Sequence, residues 1–353
     1  MKYNKAVKVW LLIGLLCIII QVVVGGITRL TESGLSITEW EPIKGAFPPF
    51  TEEGWIEEFE KYKATPQYEE INEGMDLSDF KFIYFWEFIH RQWARFMGLV
   101  FLFPFIYFLI KRKIDSPLIK RLGVVIFMAL LAATFGWIMV ASGLIERPWV
   151  NAYKLSFHLL IAFTVYLSLL YTYLYTIKGS FIIQTNTDLH KLFKGFLFFF
   201  WLQLFFGGIM SGMRIGVVYP TWPDMNGELI PQVLFNNSLW TVENFKYYDQ
   251  NELLPAIIQF IHRMLAYIVF TYGIYLSMKM IRREEKLIKN LGYLLITMLT
   301  IQVVLGIITV INCIGEIPIF LGVLHQFGAL MLLTVVYISY YVLKHSKLEV
   351  KIN

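Results

Sequence analysis

Apolar residues along this chain gather into eight long runs, at roughly 7–27, 82–110, 119–143, 152–177, 192–213, 254–279, 289–312 and 318–343. Each is long enough, at about 1.5 Å per residue, to cross about 30 Å of hydrocarbon as a helix. Charged and turn-forming residues concentrate between the runs. The pattern predicts an all-α integral membrane protein with eight transmembrane helices. The longest polar interruption, about 29–80, carries Pro48-Pro49, many acids and short amphipathic patches such as Trp55 to Tyr62. It reads as a partly helical extramembrane cap.

Composition agrees: 57% of residues are hydrophobic and 16% charged, against roughly 45–50% and about 25% in soluble domains. Charge then gives the runs a direction. Lys2, Lys5 and Lys8 precede the first; Lys111, Arg112, Lys113, Lys120 and Arg121 separate the second and third. Lys178, Lys191 and Lys194 lie between the fourth and fifth, Lys279, Arg282, Arg283, Lys286 and Lys289 between the sixth and seventh, and Lys344, Lys347 and Lys351 follow the eighth. These nineteen of the 31 Lys and Arg fall on one side, which the positive-inside rule makes cytoplasmic or matrix, with both termini there. The net charge of +5 reflects these anchors and makes no case for nucleic acid. The first run resembles a signal peptide in its preceding lysines, but Val22-Val23-Val24-Gly25-Gly26 lacks a small-residue cleavage site, so it stays a helix. Cys17 and Cys313 are read as isolated apolar thiols, with no disulfide.

The chain repeats itself. Gln21-x-x-x-Gly25-Gly26-Ile27 ends the first run, and Gln203-x-x-x-Gly207-Gly208-Ile209 ends the fifth, 182 residues later. The same displacement carries Trp40 onto Trp222, Gly45 onto Gly227 and Pro49 onto Pro231. The Gly-Gly pairs are expected to let helix backbones approach. Each unit holds four spans, an even number, so both enter the membrane in the same direction. The expected architecture is two parallel four-helix-bundle repeats, 1–182 and 183–353, related by a pseudo-two-fold along the membrane normal.

Phe-Ile-His-Arg recurs at Phe88–Arg91 and Phe260–Arg263. A histidine at membrane depth is costly, so its duplication asks for a ligand. His190 and His345 sit in basic flanks and need no function. His90, His158, His262 and His325 lie on the four even-numbered spans, each within the first nine or so residues, a depth of about 12 Å. Any one alone reads equally well as a buried histidine bonded to a neighbour. No cysteine or acid cluster completes a tetrahedral zinc set. Two imidazoles facing each other across a four-helix bundle suit a six-coordinate haem, pairing His90 with His158 and His262 with His325. Arg91, Arg95 and Arg263 are candidates for haem propionates, or snorkel to the interface. Glu87, three residues before His90, shares its helix face. It reads as a proton acceptor, as a stabiliser of developing positive charge, or as a salt-bridge partner of Arg91 or Arg95. Gln259 at the matching place keeps the shape without the proton chemistry, which assigns reaction to the first half and a permanent cofactor to the second.

These residues resemble the haem A synthase family of the alphaproteobacterial and mitochondrial type. Gly25-Gly26-Ile27-Thr28-Arg29-Leu30-Thr31-Glu32-Ser33-Gly34-Leu35-Ser36-Ile37 is similar to its first-loop signature. Glu87-Phe-Ile-His90-Arg91, Gly207-Gly208 to Trp222-Pro223, His262-Arg263 and Leu324-His325-Gln326 match its other motifs. The resemblance implies an oxidoreductase of the bacterial inner membrane, with haem sites toward the periplasm, converting the C8 methyl of haem O to the formyl of haem A. It implies water as oxygen source and a haem b cofactor that passes electrons. His262 and His325 match the ligands of that cofactor iron, His90 and His158 with Arg91 the substrate-haem site, and Glu87 the essential acid. Implied partners are haem O, the bilayer, a haem O synthase, and a terminal oxidase or its assembly factors; a homo-oligomer is left open. Related enzymes carry a cysteine pair in extracytoplasmic loops; it is absent here, so their thiol-based step does not carry over. The rival readings are a di-haem b-type cytochrome oxidising a quinol, with Glu87 accepting its proton, and a parallel-repeat transporter, which would need broken helices.

Overall fold

The computed structural model describes residues 3–39, 44–145, 147–177 and 187–345, without the side chains of Lys44, Thr187 and Asp188. Lys2, Trp40 to Ile43, Lys178, Lys347, Lys351 and the expected boundary at 182/183 lie outside the described residues. The elements are α1 (Lys5–Leu30), α2 (Glu52–Lys63), α3 (Pro66–Glu70), α4 (Leu77–Ile110), α5 (Ser116–Gly143), α6 (Ala152–Thr176), α7 (Thr187–Gly212), α8 (Ile215–Val218), α9 (Val242–Lys246), α10 (Leu253–Ile281), α11 (Lys286–Ile311) and α12 (Ile319–His345). Four short 3-10 turns occur among the described residues. Eight of the helices are long and apolar enough to cross a membrane, matching the eight predicted runs, and no strand occurs among the described residues. The chain divides into two compact units, Met1–Thr176 and Ile177–Asn353. Cys17 and Cys313 are free and buried.

In the first unit α1 packs on α4 and α6, and α5 packs on α6. Pro104 lies inside α4 and has no N–H to give the carbonyl one turn back. The indole of Trp10 on α1 supplies the missing donor, 3.2 Å from the Val100 oxygen. Further along, the Trp93 indole donates to the Cys17 carbonyl at 2.9 Å, and the Thr28 hydroxyl to the Trp86 carbonyl at 3.1 Å. The carbonyl freed by Pro104, which would be costly in hydrocarbon, thus becomes part of the joint between two helices.

α4 is 34 residues long, about 51 Å, and starts before its expected position because its first turns are not membrane turns. Asp76 caps them, accepting from Ser78 and Asp79 backbone N–H at 2.7 and 2.9 Å. The 29–80 segment is partly helical, as its pattern predicted. Thr51 caps α2 and Thr65 caps α3, with Pro66 in the first turn where its missing N–H costs nothing. Phe59 and Tyr62 of α2 bury against Phe80, Ile83 and Tyr84 of α4, flanked by Trp55 and Tyr68. Burying each large side chain stabilises this cap by about 1.5–3 kcal/mol.

In the second unit α7 packs on α10 and α12, and α11 on α10 and α12, a closed ring of four. Glycines set two of its contacts: Gly195 faces the Tyr272 hydroxyl, and Gly273 faces Leu299. The Tyr272 hydroxyl donates to the Leu192 carbonyl at 2.8 Å. The first unit has no α4–α5 interface comparable to α10–α11.

Candidate functional site: paired histidines

The four predicted histidines sit on α4, α6, α10 and α12, and each lies against a glycine of another long helix. A Cβ built on Gly25 of α1 would lie 2.9 Å from His90 Cε1; on Gly136 of α5, 3.0 Å from His158 Cε1. On Gly207 of α7 it would lie 3.1 Å from His262 Cε1, and on Gly306 of α11, 2.9 Å from His325 Cε1. Any side chain at these positions would push the imidazole aside. The expectation for the Gly-Gly pairs is therefore corrected in detail: Gly25 and Gly207 make room for a histidine ring, beyond any service to helix approach.

As whole residues all four are half-buried. In the first unit His90 and His158 lie within electrostatic reach of one another. His262 and His325 stand in the same relation in the second. The starts of their helices differ, however: His158 and His325 lie six positions after Ala152 and Ile319, His262 nine after Leu253, and His90 thirteen after Leu77. The extra turns of α4 belong to the cap, so counting from a helix start does not measure depth there.

One turn before three of the glycines stands a glutamine that reaches the same histidine. The Gln21 side-chain amide nitrogen lies 3.2 and 3.3 Å from His90 Nδ1 and Nε2 and donates to the His90 carbonyl at 3.2 Å. Gln203 Nε2 lies 3.2 Å from His262 Nε2. Gln302 Nε2 lies 3.2 Å from His325 Nδ1 and donates to the His325 carbonyl at 3.0 Å. The corresponding residue on α5 is Ala132. Sequence reading assigned no role to Gln302, Gly306 or Gly136. A signal existed, because Ile20-Gln21-Val22-Val23 recurs as Ile301-Gln302-Val303-Val304, with glycine following at 25 and 306.

Glu87 is 3% exposed. Its Oε2 accepts from the Ser36 hydroxyl and the Ile37 N–H, each at 2.8 Å. Its Oε1 accepts from Arg91 Nη2 at 2.6 Å and Nε at 3.1 Å. Of the three readings open for Glu87, the salt bridge to Arg91 is thus present. Arg91 also donates to the Ile37 carbonyl at 3.1 Å and the Glu39 carbonyl at 3.4 Å, which pins the first loop over α4. Arg95 donates to Gln92 Oε1 at 2.6 Å.

The second unit uses the same positions without a carboxylate. Gln259, fully buried, donates to the Tyr219 carbonyl at 3.0 Å. Arg263 donates to the carbonyls of Thr221, at 2.6 Å, and of Pro223 and Asp224. The Asp224 carboxylate, on the loop outside the spans, accepts from the Thr221 hydroxyl and the Gly227 N–H. These bonds, with Arg263 nearby, hold its pKa below the usual carboxylate value. His190 and His345 sit instead against Tyr340 and Tyr341.

The two histidines of each unit would form a donor set for a metal whose remaining ligands come with it. Among the described residues no group of three or more His, Cys, Asp and Glu is gathered to hold a bare ion. His158 Nδ1 and His262 Nδ1 are buried without a hydrogen-bond partner. Such nitrogens fit axial ligation of a porphyrin iron, in which four sites are filled by the macrocycle.

Fold and site define a class: a multi-pass helical membrane protein with a histidine pair in each of two compact units. The chain matches the COX15-CtaA family of cytochrome oxidase assembly proteins over residues 8–337, and it belongs to that family. It is 37% identical over 340 residues to a protein of Rickettsia africae named heme A synthase, covering 96% of this chain and 98% of the relative. Proteins of the same name from Wolbachia pipientis of Culex pipiens and from Flavobacterium psychrophilum are each 38% identical, over 93% and 94% of this chain and 95% and 96% of their own lengths.

Proposed function

We propose that this chain is a haem A synthase, which oxidises the C8 methyl of haem O to the formyl of haem A. The observation that carries the reading is the mismatch of Glu87 with Gln259 inside otherwise matching His-Arg frames. The printed names of the relatives support the overall activity. His90 and His158 hold the substrate haem within 1–182. His262 and His325 would hold the iron of a haem b within 183–353. Haem b, when bound, supplies one-electron transfer.

Glu87 sits one turn before His90, with both oxygens engaged by donors. This suits a fixed negative charge beside a carbon that becomes positive as the methyl is oxidised. Action as a base on the attacking water first requires Arg91 or Ser36 to release it. Methyl plus water yields formyl with loss of four protons and four electrons, so water suffices as oxygen source if an external acceptor takes the electrons. Arg91, Arg95 and Arg263 are the propionate candidates. At Arg91 and Arg263 a propionate would replace a loop carbonyl.

The topology we infer is two parallel repeats about a pseudo-two-fold along the membrane normal, in a bacterial inner membrane. Both termini are cytoplasmic and the haem sites lie toward the periplasmic side; the one-sided lysines and arginines support it. A haem O synthase would supply the substrate, and a terminal oxidase or its assembly factors would receive the product.

The test is chromatography of haems extracted from cells co-expressing the chain with a haem O source. Haem A is the expected product; unchanged haem O would leave a di-haem cytochrome instead. An absorbance spectrum of His262→Ala with an unaltered low-spin haem signal would remove the assignment of haem b.

A further inference from the structure

The two histidine pairs differ in how their members are held. In the second unit both rings carry a glutamine amide, Gln203 on His262 and Gln302 on His325. In the first, Gln21 holds His90, but Ala132 stands where the fourth glutamine would be. Ala132 offers His158 its backbone carbonyl, as Gln203 and Gln302 offer theirs to His262 and His325, but it adds no side-chain amide. The side-chain oxygens of Gln21, Gln203 and Gln302 are themselves buried and without partners. Rotation of the amide presents that oxygen to a ring N–H. An imidazole whose second nitrogen donates to such an acceptor is better oriented and more basic toward a metal. His158 has the Ala132 carbonyl alone for this, where the other three histidines have a glutamine amide beside them.

Helix packing separates the same residue. The α11–α12 pair that carries His325 is joined to its unit on both sides, by α10 and α7. The α5–α6 pair that carries His158 is joined chiefly through α1 on α6, without a matching α4–α5 interface. The weakly supported ligand therefore rides on the less constrained helix pair.

We infer that His158 is the ligand that lets go. The first unit holds its haem firmly through His90 and releasably through His158, so haem enters and leaves between α4 and α5, while the second unit retains its haem. Gln21, Gln203 and Gln302 are positioning residues acting through the histidines. This inference rests on the proposed two-haem reading and adds by which ligand, and between which helices, the first site exchanges.

The experiment loads the full-length protein with hemin and follows transfer of haem to excess apomyoglobin by absorbance. His158→Ala identifies the phase that belongs to the first unit. That phase is expected to be at least about tenfold faster than the other, the range by which partners of metal-bound histidines alter affinity. Ala132→Gln should slow it about tenfold and leave the slow phase unmoved, which also reports an intact fold. Gln302→Ala should speed the slow phase by a similar factor. Equal phases in the native protein, or a fast phase indifferent to Ala132→Gln, would overturn the inference while leaving two haem sites standing. Fewer than two hemins bound per chain would overturn the two-haem reading and this inference with it.

Discussion

The Arg91 guanidinium grips the Glu87 carboxylate from one turn along the same helix, through bonds of 2.6 and 3.1 Å. The carboxylate is almost fully buried and the arginine only partly so. Removing one partner of a buried pair leaves an uncompensated charge, which costs about 3–5 kcal/mol. Arg91→Ala is therefore expected to lower the unfolding midpoint sharply. Glu87→Gln, which keeps the shape of Gln259, should be milder. Thermal denaturation of both variants checks this order. On the proposed function Glu87→Gln also abolishes haem A formation while haem at His262 and His325 stays. Normal haem A in extracts of that variant would end the catalytic role of Glu87.

The glycines divide into two kinds, and alanine substitution should separate them. At Gly207 a methyl would lie 3.1 Å from His262 Cε1, so the ring has to yield by a few tenths of an ångström. At Gly98 of α4 and Gly123 of α5 an added methyl meets nothing within 4 Å. There alanine is expected to be neutral or stabilising by up to about 1 kcal/mol, from helix propensity and the stiffer unfolded chain. Gly207→Ala should weaken haem retention in the second unit, seen as lost low-spin absorbance on purification. Retention equal to that of Gly98→Ala would remove the packing argument.

Much of this was legible in the sequence because long apolar runs have few structural solutions in a membrane. The spans, the partly helical cap and the four histidines followed from hydropathy and repetition. The glycine at 136 and the glutamine at 302 did not, since an isolated small or polar residue in a helix has many uses, and only the partner across the interface selects one. The Glu87–Arg91 bridge was one option among three. Which option holds depends on Ser36 and Ile37, brought to Glu87 by a loop whose path no periodicity records. The length of α4 was missed because its first turns bury aromatic residues under the cap, where membrane hydropathy gives no guide.

Arg263 binds three loop carbonyls, of Thr221, Pro223 and Asp224. Only a planar fork of donors spans them, so lysine is not a conservative replacement. Hydrogen bonds to a charged group are worth about 1.5–3 kcal/mol each and are not additive. Both Arg263→Lys and Arg263→Ala should therefore let the 219–227 loop open locally without unfolding α10. Hydrogen exchange checks this: faster exchange at Asn226 and Gly227, whose N–H groups bond Thr221 and Asp224, with protection along α10 retained. Unchanged loop protection would show that Arg263 does not hold it.

Tyr62 ties the cap together and makes it sensitive to alkali. Its ring is fully buried, and its hydroxyl donates to Gln67 Oε1 at 3.1 Å while accepting from Asn72 at 2.7 Å. Burial, which disfavours the phenolate, pushes its pKa from 10.0 up to about 12, against the opposing Asn72 bond. A phenol held neutral in the folded state contributes stability that is fully present below the unfolded value near 10. That stability is lost as pH rises through the folded value. The cap is therefore expected to loosen between about pH 10 and 12. Trp55, packed against Tyr84 with ring centroids 5.0 Å apart, reports the change by fluorescence. Tyr62→Phe should weaken the cap at neutral pH through its two lost bonds, by about 0.5–1.5 kcal/mol each, and move the alkaline transition upward. A transition that stays in place in Tyr62→Phe would assign it to another group.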